Sequence, residues 1–294
     1  LHAPRGTPHA ARLTPHAARL TTHASRLTKL GTTGCATMSR MDPDVLALST
    51  LLFEASNVLL VTGAGISTES GIPDYRGPQG IWKSQRPVEY HAFVASHDSR
   101  VEYWDQKLAG APSIEAATPG GVHTAAVELE RSGKLGMIVT QNIDGLHTAA
   151  GSSRSKVIEI HGTVREVTCL TCDRRSPIGP HLASFAETRE PPVCEECGGL
   201  LKPATISFGQ QLDPFTIQQA LGAAMSCDLV IALGTSLSVY PAADIPLQAA
   251  RRGIPYVIVN QGRTEHDGLP HVTLRIDDEV GPVFSGAVSL ALAS

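Results

Sequence analysis

The sequence predicts an α/β fold in which a doubly wound parallel sheet carries a small inserted domain. Short, fully apolar strand-like runs alternate with helical stretches along most of the chain, and strands buried on both faces are typical of parallel sheets covered by helices. This alternation stops between about residues 169 and 202, where two cysteine pairs bracket a loop-rich stretch with few periodic apolar residues. We therefore expect one sheet-based domain interrupted by an insertion with its own means of stabilisation.

The predicted elements begin after Asp42, which with Pro43 is a plausible helix start. We predict helices near 45–55, 123–131, 215–225 and 247–252, and strands at 58–62, 136–140, 229–233 and 256–259. A stretch at about 77–119 has scattered aromatic residues and prolines, which predicts a loop and small helices over the strand ends. The Rossmann-like domain is then formed by residues 42–76, 120–165 and 203–294, and the small domain by 77–119 and 166–202.

Composition restricts the class of protein. Hydrophobic residues make up 42% of the 294 residues, and the apolar runs have the length of strands and not of membrane spans. Residues 1–41 contain six Lys and Arg and no acid, which leaves eighteen basic against twenty-eight acidic residues in the rest. An acidic body with few aromatic residues disfavours nucleic acid as a partner. We expect a cytoplasmic protein without a nucleic-acid or membrane partner.

The first 41 residues contain a repeat that we exclude from the fold prediction. Residues 7–13, 14–20 and 21–27 read TPHAARL, TPHAARL and TTHASRL. Prolines inside each of the first two repeats, and a single large apolar residue per repeat, favour a disordered tail over a coiled coil. The same prolines disfavour an amphipathic transit peptide. A start at Met38 or Met41 would place this tail upstream of the native protein.

Four cysteines predict a structural zinc site. Cys169 and Cys172 form one CxxC pair, and Cys194 and Cys197 form a second, the arrangement of a zinc ribbon at 169–197. Two disulfides are the alternative, but nothing in the sequence suggests secretion, and the segment has too few apolar residues to fold unaided. Because sulfur fills all four ligand positions, such an ion would have an architectural role and would not bind substrate.

Small polar residues follow four of the predicted strands, after residues 62, 140, 233 and 259. Gly63 and Gly65 follow the first strand, and such glycines let the backbone approach a pyrophosphate. Thr68 replaces the usual third glycine, and no acidic residue ends a second strand about 20 residues on, which disfavours a hydride-transferring enzyme. Since the carboxyl ends of parallel strands meet at one edge of a sheet, we expect one extended ligand site there.

Two further groups are candidates for chemistry. Gln141, Asn142 and Asp144 place two amides and a carboxylate directly after a strand, although a capped helix start accounts for them equally well. His161 follows a short apolar strand and precedes a glycine. A lone histidine is usually structural, but the near-neutral pKa of imidazole makes His161 the natural candidate for a general base.

The motifs GAGIS, GIPDYR, TQNIDGLH, HG, the paired CxxC, GTSL and VNQ, in this order, resemble the sirtuin (Sir2) family of NAD-dependent protein deacylases of bacterial type. The resemblance extends from about residue 45 to the C-terminus. Residues 86–104 are most similar to a lipoamidase and ADP-ribosyltransferase-like subgroup.

The resemblance implies a reaction and a set of roles. NAD is a co-substrate bound between the domains, the acyl-lysine oxygen attacks its ribose as nicotinamide leaves, and the acyl group departs as O-acyl-ADP-ribose. His161 is the base, Asn142 and Asp144 complete the catalytic set, and one structural zinc is bound per chain. The implied NAD contacts are Gly63, Ala64, Gly65, Thr68, Asp74, Tyr75, Arg76, Gln141, Asn142, Asp144, Gly234, Thr235, Ser236, Asn260 and Gln261. Acyl-lysine proteins are implied to bind as an added strand along Ile206, Phe208, Gly209 and Val239.

The sequence departs from the family pattern at three positions. Tyr75 stands where most relatives have Phe, and Ala204 and Gln210 stand where an acidic or amide residue and a Glu are common. A mono-ADP-ribosyltransferase using the same NAD site is an alternative function, and a non-catalytic NAD-sensing module is another.

The acyl preference is predicted from one helix. Sirtuins that remove acidic acyl groups resemble one another in a Tyr-x-x-Arg pair, whereas Tyr103 here is followed by Gln106. Lys107 is expected to lie about 100° further around the helix and away from the partner position of Tyr103. Trp104 adds apolar surface or packs in the core. We therefore expect neutral acyl groups to be preferred over succinyl and malonyl.

Overall fold

The computed structural model describes residues 42–77, 80–83 and 85–293. The predicted repeat tail at 1–41 lies outside the described residues. Strands in chain order are β1 Val58–Thr62, β2 Leu135–Thr140, β3 Val157–Glu159, β4 Gly162–Cys169, β5 Arg175–Pro177, β6 Leu201–Thr205, β7 Leu229–Leu233, β8 Tyr256–Val259 and β9 Leu274–Ile276. Helices in chain order are α1 Pro43–Glu54, α2 Tyr90–Ala95, α3 His97–Ala116, α4 Gly121–Arg131, α5 Leu146–Ala150, α6 Ile178–Thr188, α7 Pro214–Ser226, α8 Asp244–Ala250 and α9 Val280–Ala293.

The larger sheet has six parallel strands in the order β3-β2-β1-β7-β8-β9. The chain winds outward in one direction from β1 to β3 and in the other direction from β7 to β9. The strand order therefore reverses between β1 and β7, and in sheets of this kind the crevice at the carboxyl ends of such a pair is where ligands bind. Thr62 at the end of β1 lies opposite Thr140 on one side and Leu233 on the other.

Helices cover both faces of this sheet, which confirms the doubly wound fold. Leu60 of β1 belongs to a core formed with α1, α4 and α9, whereas Leu59 and Val61 belong to a second core formed with α7 and α8. Because successive strand residues point to opposite faces, a strand that enters two cores must be apolar throughout. All five residues of β1, and all five of β7, are buried.

The predicted elements of the large domain agree with the structure to within a few residues. Strands β1, β7 and β8 have the predicted bounds, and the Asp42 side chain caps α1 by accepting from the Asp44 backbone NH at 2.8 Å. Two elements, β9 and α9, were not predicted. Helix α9 is built almost entirely of small and apolar residues, so it has no polar face that would reveal a helical period.

The small domain is built on an antiparallel sheet in the order β5-β4-β6, with α2, α3 and α6 against it. Phe93, Trp104 and Phe185 are fully buried in its core, and the Trp104 and Phe185 ring centroids are 6.0 Å apart. The predicted domain boundaries at 165/166 and 202/203 fall inside β4 and β6.

Two expectations for this region were wrong. The stretch 77–119, expected to hold a loop and small helices, contains the 20-residue helix α3, which continues through Pro112. The insertion expected to be loop-rich contains the 11-residue helix α6. The insertion was also expected to have too few apolar residues to fold unaided, and Leu182 and Phe185 of α6 pack against Trp104 of α3, which lies outside it. The aromatic residues of α3 thus supply apolar surface that the insertion itself lacks.

Within the part of the chain that the structure describes, no helix combines the length and apolarity needed to cross a membrane.

Candidate active site and zinc centre

The four predicted cysteines converge into one cluster. Cys169 ends β4, and Cys194 lies in a turn closed by the bridge between Val193 and Leu200. All four Sγ atoms lie within 4.8 Å of one another, with Cys169 and Cys197 at 3.5 Å and Cys172 and Cys194 at 3.8 Å. A disulfide needs about 2.05 Å, whereas Zn–S bonds of about 2.3 Å in a tetrahedron separate the sulfurs by roughly 3.8 Å. The donor set fits one structural zinc ion.

The loops after β1 and β7 are in direct contact at the switch point of the large sheet. The Gly65 NH donates to the Gly234 carbonyl at 2.8 Å, and the Gly63 NH donates to Leu233 at 3.0 Å. A Cβ at Gly63 would lie 2.7 Å from Thr235 Cβ, and one at Gly65 would lie 2.8 Å from Gly234 Cα. Any larger residue at Gly63 or Gly65 would collide with the loop after β7. The close packing of the two loops therefore requires glycine at both positions, whether or not a ligand is bound.

Asn142 and Asp144 are held in a buried polar network with Ser67. The Asn142 amide donates to the Gly63 carbonyl at 3.1 Å and to Ser67 Oγ at 3.0 Å. Ser67 Oγ in turn donates to Asp144 Oδ2 at 2.8 Å, and the Leu146 backbone NH donates to Asp144 Oδ1 at 2.9 Å. Asn142 and Asp144 are 6% and 5% exposed. Since both carboxylate oxygens of Asp144 are engaged, its main effect is to fix Ser67 and, through it, the amide of Asn142.

His161 has the geometry of a neutral general base. Its Nδ1 lies 3.1 Å from the Gln141 carbonyl oxygen, which only accepts hydrogen bonds, so Nδ1 carries the proton and Nε2 keeps its lone pair. Burial lowers the pKa of His161 below its ordinary value of 6.5, although the bond to Gln141 opposes this effect. His161 is therefore uncharged at neutral pH, with its one ring proton on Nδ1, and it lines the cavity described next.

One cavity of about 1900 Å³ joins the switch point to the small domain. Pockets for a single small ligand have about 300–1000 Å³, so this volume has room for two substrates side by side. Most of the predicted site residues line it, namely Gly63, Ala64, Gly65, Asp74, Tyr75, Arg76, Gln141, Asn142, His161, Ile206, Phe208, Gly209, Gly234, Thr235, Ser236, Val239, Asn260 and Gln261. Asp144 and Thr68 do not line the cavity: Asp144 lies behind Ser67, and exposed Thr68 bonds to the Gly65 carbonyl at 3.1 Å.

An aromatic stack connects the predicted cofactor loop to the predicted peptide segment. The ring of Trp82 lies 5.1 Å from that of Tyr75 and 5.1 Å from that of Phe208, and the guanidinium of Arg76 lies 4.3 Å above it. Burial, and then the charge of Asp144, raise the pKa of Tyr75. The hydroxyl of Tyr75 is therefore a neutral group beside the polar network.

The two predicted peptide segments lie outside the strands but on the cavity wall. The Ile206 backbone NH donates to the His161 carbonyl at 2.9 Å, which fixes this segment beside the base. Gln210 accepts from the Ser207 NH at 3.2 Å and closes a turn that includes Gly209 at φ +79°. Gln210 thus stabilises the local turn, and its role here needs no carboxylate.

Lys107 lies against the Tyr103 ring. Its ammonium lies 4.8 Å from the centre of that ring, and both residues line the cavity together with Gln106. Residues four apart on a helix share a face, so this contact is local to α3. The expected preference for neutral acyl groups, which rests on Gln106 three residues after Tyr103, stays a prediction.

Sequence reasoning also missed residues that shape the site. Ser67 lies inside the GAGIS motif but was assigned no role, and Trp82 lies in a stretch without a clear pattern. Lys202, which is fully buried, carried no expectation either. Every residue of β6 is buried, including Lys202. The sequence would have revealed a buried lysine only if β6 had first been recognised as a strand.

Residues 63–241 match the profile of the Sir2 family. The chain is 40% identical over 237 residues to NAD-dependent protein deacetylase 1 of Bradyrhizobium diazoefficiens, covering 80% of this chain and 93% of that protein. It is 39% identical over 222 residues to NAD-dependent protein deacetylase 2 of Streptomyces coelicolor, covering 74% of this chain and 91% of the other.

Solved structures of similar fold include Sir2 with a p53 peptide and NAD+, with a TM-score of 0.74, 35% identity, and coverage of 83% of this chain and 97% of that one. Another is Sir2Tm bound to a propionylated peptide, with a TM-score of 0.69, 34% identity, and coverage of 83% and 93%. Together with the buried network at the switch point, the oriented histidine and the four-cysteine cluster, these matches show that the chain belongs to the Sir2 family.

Proposed function

We propose that this protein is an NAD-dependent protein lysine deacylase that transfers the acyl group of a modified lysine to ADP-ribose. The observation that carries the proposal is the placement of a neutral, oriented His161 in the same large cavity as the strand-end residues of the switch point. The relatives at about 40% identity are named as NAD-dependent protein deacetylases. The net reaction takes NAD, acyl-lysine and water to nicotinamide, O-acyl-ADP-ribose and free lysine.

We assign each substrate to a part of the cavity, beginning with NAD. NAD contributes the bond between nicotinamide and ribose, whose cleavage makes the ribose carbon an acceptor for the acyl oxygen. We assign the dinucleotide to the loops after β1, β7 and β8, which present backbone NH groups and small polar side chains at the switch point. Asn142, held by Gly63 and Ser67, forms the polar end of this site. A side chain fixed by two bonds orients a substrate without further loss of freedom.

His161 acts on a ribose hydroxyl. Its Nε2 accepts the hydroxyl proton while the oxygen attacks the acyl carbon, and its Nδ1–H stays on the Gln141 carbonyl. Because the pKa of His161 lies below 6.5, its imidazole is already neutral at pH 7. Its Nε2 is therefore free to accept the proton of the ribose hydroxyl. Asp144 acts through Ser67 as a positioning residue.

The acyl-lysine substrate is assigned to the wall formed by Ile206, Phe208, Gly209 and Val239. A bound peptide in two related Sir2 structures supports this assignment, and so does the bond between Ile206 and the backbone of His161. The zinc ion contributes no chemistry in this scheme, because its four sulfur ligands leave no open position. Its effect is to hold β4 and β6, which carry the segments flanking His161.

Mass spectrometry of the products tests the proposal. Purified protein with NAD and an acetyl-lysine peptide should yield nicotinamide, deacetylated peptide and O-acetyl-ADP-ribose in equal amounts, and none of them without NAD. A gain of one ADP-ribose on a protein, without loss of the acyl group, would instead show the mono-ADP-ribosyltransferase that the same site is able to support. Turnover of lipoyl peptides would test the subgroup predicted from residues 86–104.

The setting of the reaction stays a prediction from composition. The absence of a nucleic-acid partner is proposed from the acidic charge of residues 42–294, and the absence of a membrane partner and the cytoplasmic location from apolar runs that are too short for membrane spans. Cell fractionation and binding to DNA or to lipid vesicles test each of these.

A further inference from the structure

The loop after β8 is braced from behind by an arginine that the mechanism above does not use. We call residues 260–267 the β8 loop, and its first four residues, 260–263, line the cavity. Arg275 lies on the neighbouring strand β9, where it pairs with Ile258 of β8. Arg275 is not among the residues that line the cavity. Its contacts are therefore with the β8 loop and not with a ligand.

The guanidinium of Arg275 binds three backbone carbonyls and one carboxylate. It donates to the Asn260 carbonyl at 2.9 Å, and also to the carbonyls of Gly262 and Ile276. Its Nε donates to Asp267 Oδ1 at 2.7 Å. The N–H donors of a guanidinium lie in one rigid plane. Four acceptors around that plane restrict the two ends of the β8 loop to a narrow range of relative positions.

Arg275 and Asp267 form the least exposed ion pair among the described residues, with side-chain exposures of 21% and 30%. Burial alone would raise the pKa of Asp267. Hydrogen bonds from Thr264, and then the contact with Arg275, outweigh burial and lower this pKa. Thr264 donates to the same carboxylate from its NH at 3.0 Å and from its hydroxyl at 2.7 Å. Asp267 is therefore a charged group that closes the β8 loop onto Arg275.

The contacts of Arg275 also fix the direction of two peptide groups. In a trans peptide, the carbonyl of one residue and the NH of the next point in opposite directions. The carbonyls of Asn260 and Gly262 are turned toward Arg275. The NH groups of the following residues, Gln261 and Arg263, therefore point away from it. Neither NH has a hydrogen-bond partner within the part of the chain that the structure describes, and both residues are exposed at the cavity.

The rest of the β8 loop is tied to its neighbours by single bonds. The Gly262 NH donates to Asp277 Oδ1 at 2.7 Å, with Gly262 in the left-handed region at φ +84°. The Glu265 NH donates to the Ser236 carbonyl, in the loop after β7, at 3.0 Å. Arg275 is the group that connects the start of the β8 loop to its end, so it controls how well the whole loop is ordered.

We propose that Arg275 is a positioning residue for NAD, which holds the β8 loop in the arrangement that binds the adenosine half of the dinucleotide. This inference rests on the proposed deacylase function, which assigns NAD to the loops after β1, β7 and β8. The NH groups of Gln261 and Arg263 donate to acceptors of the ribose and the adenine ring, and hydroxyl oxygens and ring nitrogens are such acceptors. A loop that is ordered beforehand loses less conformational freedom when the ligand binds.

The experiment measures kcat and the KM for NAD with one acetyl-lysine peptide in wild type, Arg275→Met and Arg275→Lys, with thermal melting to show that each variant folds. Arg275→Met should raise the KM for NAD by about tenfold, because the backbone of at least one loop residue is then ordered on binding instead of on folding. It should change kcat and the KM for peptide by less than about twofold. Arg275→Lys keeps the charge but not the planar fork, and its KM should be intermediate.

Two further measurements separate positioning from a general loss of structure. Calorimetry should show that Arg275→Met loses affinity for ADP-ribose by the same factor as for NAD, whereas inhibition by nicotinamide, which lacks the adenosine half, should be unchanged. Asp267→Asn should act in the same direction as Arg275→Met. The double variant should bind NAD no more weakly than Arg275→Met alone, because both substitutions break the same contact.

Arg252→Met is the matched control. Arg252 also donates to a backbone carbonyl, that of Ala224 at 3.0 Å, but it precedes the amino end of β8 and therefore lies at the edge of the sheet opposite to the site. This variant should keep the wild-type KM for NAD. An unchanged KM for NAD in folded Arg275→Met would overturn the proposal, as would a loss confined to kcat or an equal loss of nicotinamide inhibition.

Other outcomes also decide. If Arg275→Met does not fold, Arg275→Lys and Asp267→Asn decide by the same measurements. A wild-type protein that binds NAD but turns over no acyl-lysine peptide would contradict the deacylase function, and calorimetry with NAD on the same variants would then decide on Arg275. A wild-type protein without affinity for NAD would overturn both.

Discussion

The two domains of this protein are stabilised in different ways. In the large domain, β1 and β7 are buried at every residue, and they separate two extensive apolar cores. In the small domain, buried and half-exposed residues alternate along most of β4, and there is a single smaller core. Two of the four cysteines, Cys169 and Cys194, belong to that core. The cysteine cluster is thus part of the packing of the small domain, whereas the large domain is held by its two apolar cores.

The domains also contribute different chemistry to the cavity between them. The large domain supplies neutral hydrogen-bonding groups, fixed by one another at the switch point, and His161, the proposed base. The small domain supplies the charges of Lys107 and Lys202 and most of the aromatic surface. Rigid neutral groups suit a site that binds the same dinucleotide in every turnover.

Loss of zinc should have the largest effect and should be confined to one domain. Cys194→Ser removes a buried ligand, and structural zinc in small domains contributes about 10–16 kcal/mol, so the small domain should unfold and activity should disappear. Both tryptophans of the protein, Trp82 and Trp104, are in the small-domain segment 77–119. Their fluorescence should therefore shift to that of exposed indole while far-ultraviolet circular dichroism keeps the helices of the large domain.

Cys227→Ser is the control for this prediction, since Cys227 is a buried thiol of the large domain, bonded to Ala224 and remote from the cluster. It should retain one zinc ion per chain by elemental analysis. Full activity of a metal-free protein with unchanged tryptophan fluorescence would show that packing alone holds the small domain.

Removal of the base should abolish the chemistry without affecting either domain. His161→Ala should lower kcat by about 10²–10⁴-fold, the usual contribution of a general base, and should change the affinity for NAD by less than about threefold. Stopped assays for turnover and calorimetry for NAD give the two numbers. In wild type, the depressed pKa of His161 predicts that kcat/KM stays level as the pH falls through 6.5 and declines only below it.

Exposed His97 on α3, which pairs with Glu190, supplies the matched control His97→Ala, and this variant should behave as wild type. Normal turnover by His161→Ala would remove the assigned role. Loss of NAD binding by a folded variant would show that His161 holds the cofactor and does not act as the base.

Mild acid should lower the free energy of unfolding of the large domain, by less than the loss of zinc destabilises the small domain. Burial, and then the charge of the neighbouring His123, lower the pKa of His147 from 6.5 to about 3. Its Nε2 bonds to Thr62 Oγ1 at 3.1 Å at the end of β1. Between pH 6.5 and about 3 the unfolded chain binds this proton and the folded protein does not, so the free energy of unfolding falls as the pH falls. From pH 7 to 5 the loss should be about 2 kcal/mol.

Urea unfolding of wild type and His147→Gln at pH 7 and 5 measures this effect. The free energy of unfolding of His147→Gln should depend less on pH than that of wild type. Acid effects on the cysteines are the same in both proteins, so the difference between them isolates the contribution of His147. His91→Gln alters an exposed histidine paired with Glu89 and should keep the wild-type dependence. An equal dependence in wild type and His147→Gln would show that His147 is protonated in the folded state.

Much of the large domain was predictable because its sequence pattern is local. A strand that enters two cores must be apolar at each position, and the runs at 58–62, 229–233 and 256–259 therefore have the predicted bounds. The candidate site residues were also predictable. His161, Asn142 and the cysteine pairs are residue types whose chemistry is recognised from the residue itself and its near neighbours in the chain. Helix α9 escaped prediction because it is apolar on nearly every side, and α3 because its apolar residues are sparse and it contains Pro112.

The sequence by itself determined the strands, the zinc ligands and the order of motifs, because each depends on residues that are neighbours in the chain. Only the tertiary structure decided that Gly63 and Gly65 must be small to admit the loop of Gly234, and that Asp144 acts from behind Ser67. It also decided that Lys107 and Lys202, 95 residues apart in the chain, lie against the same tyrosine ring. Such contacts depend on how a helix and a strand from distant parts of the chain pack together, and no local period encodes that packing.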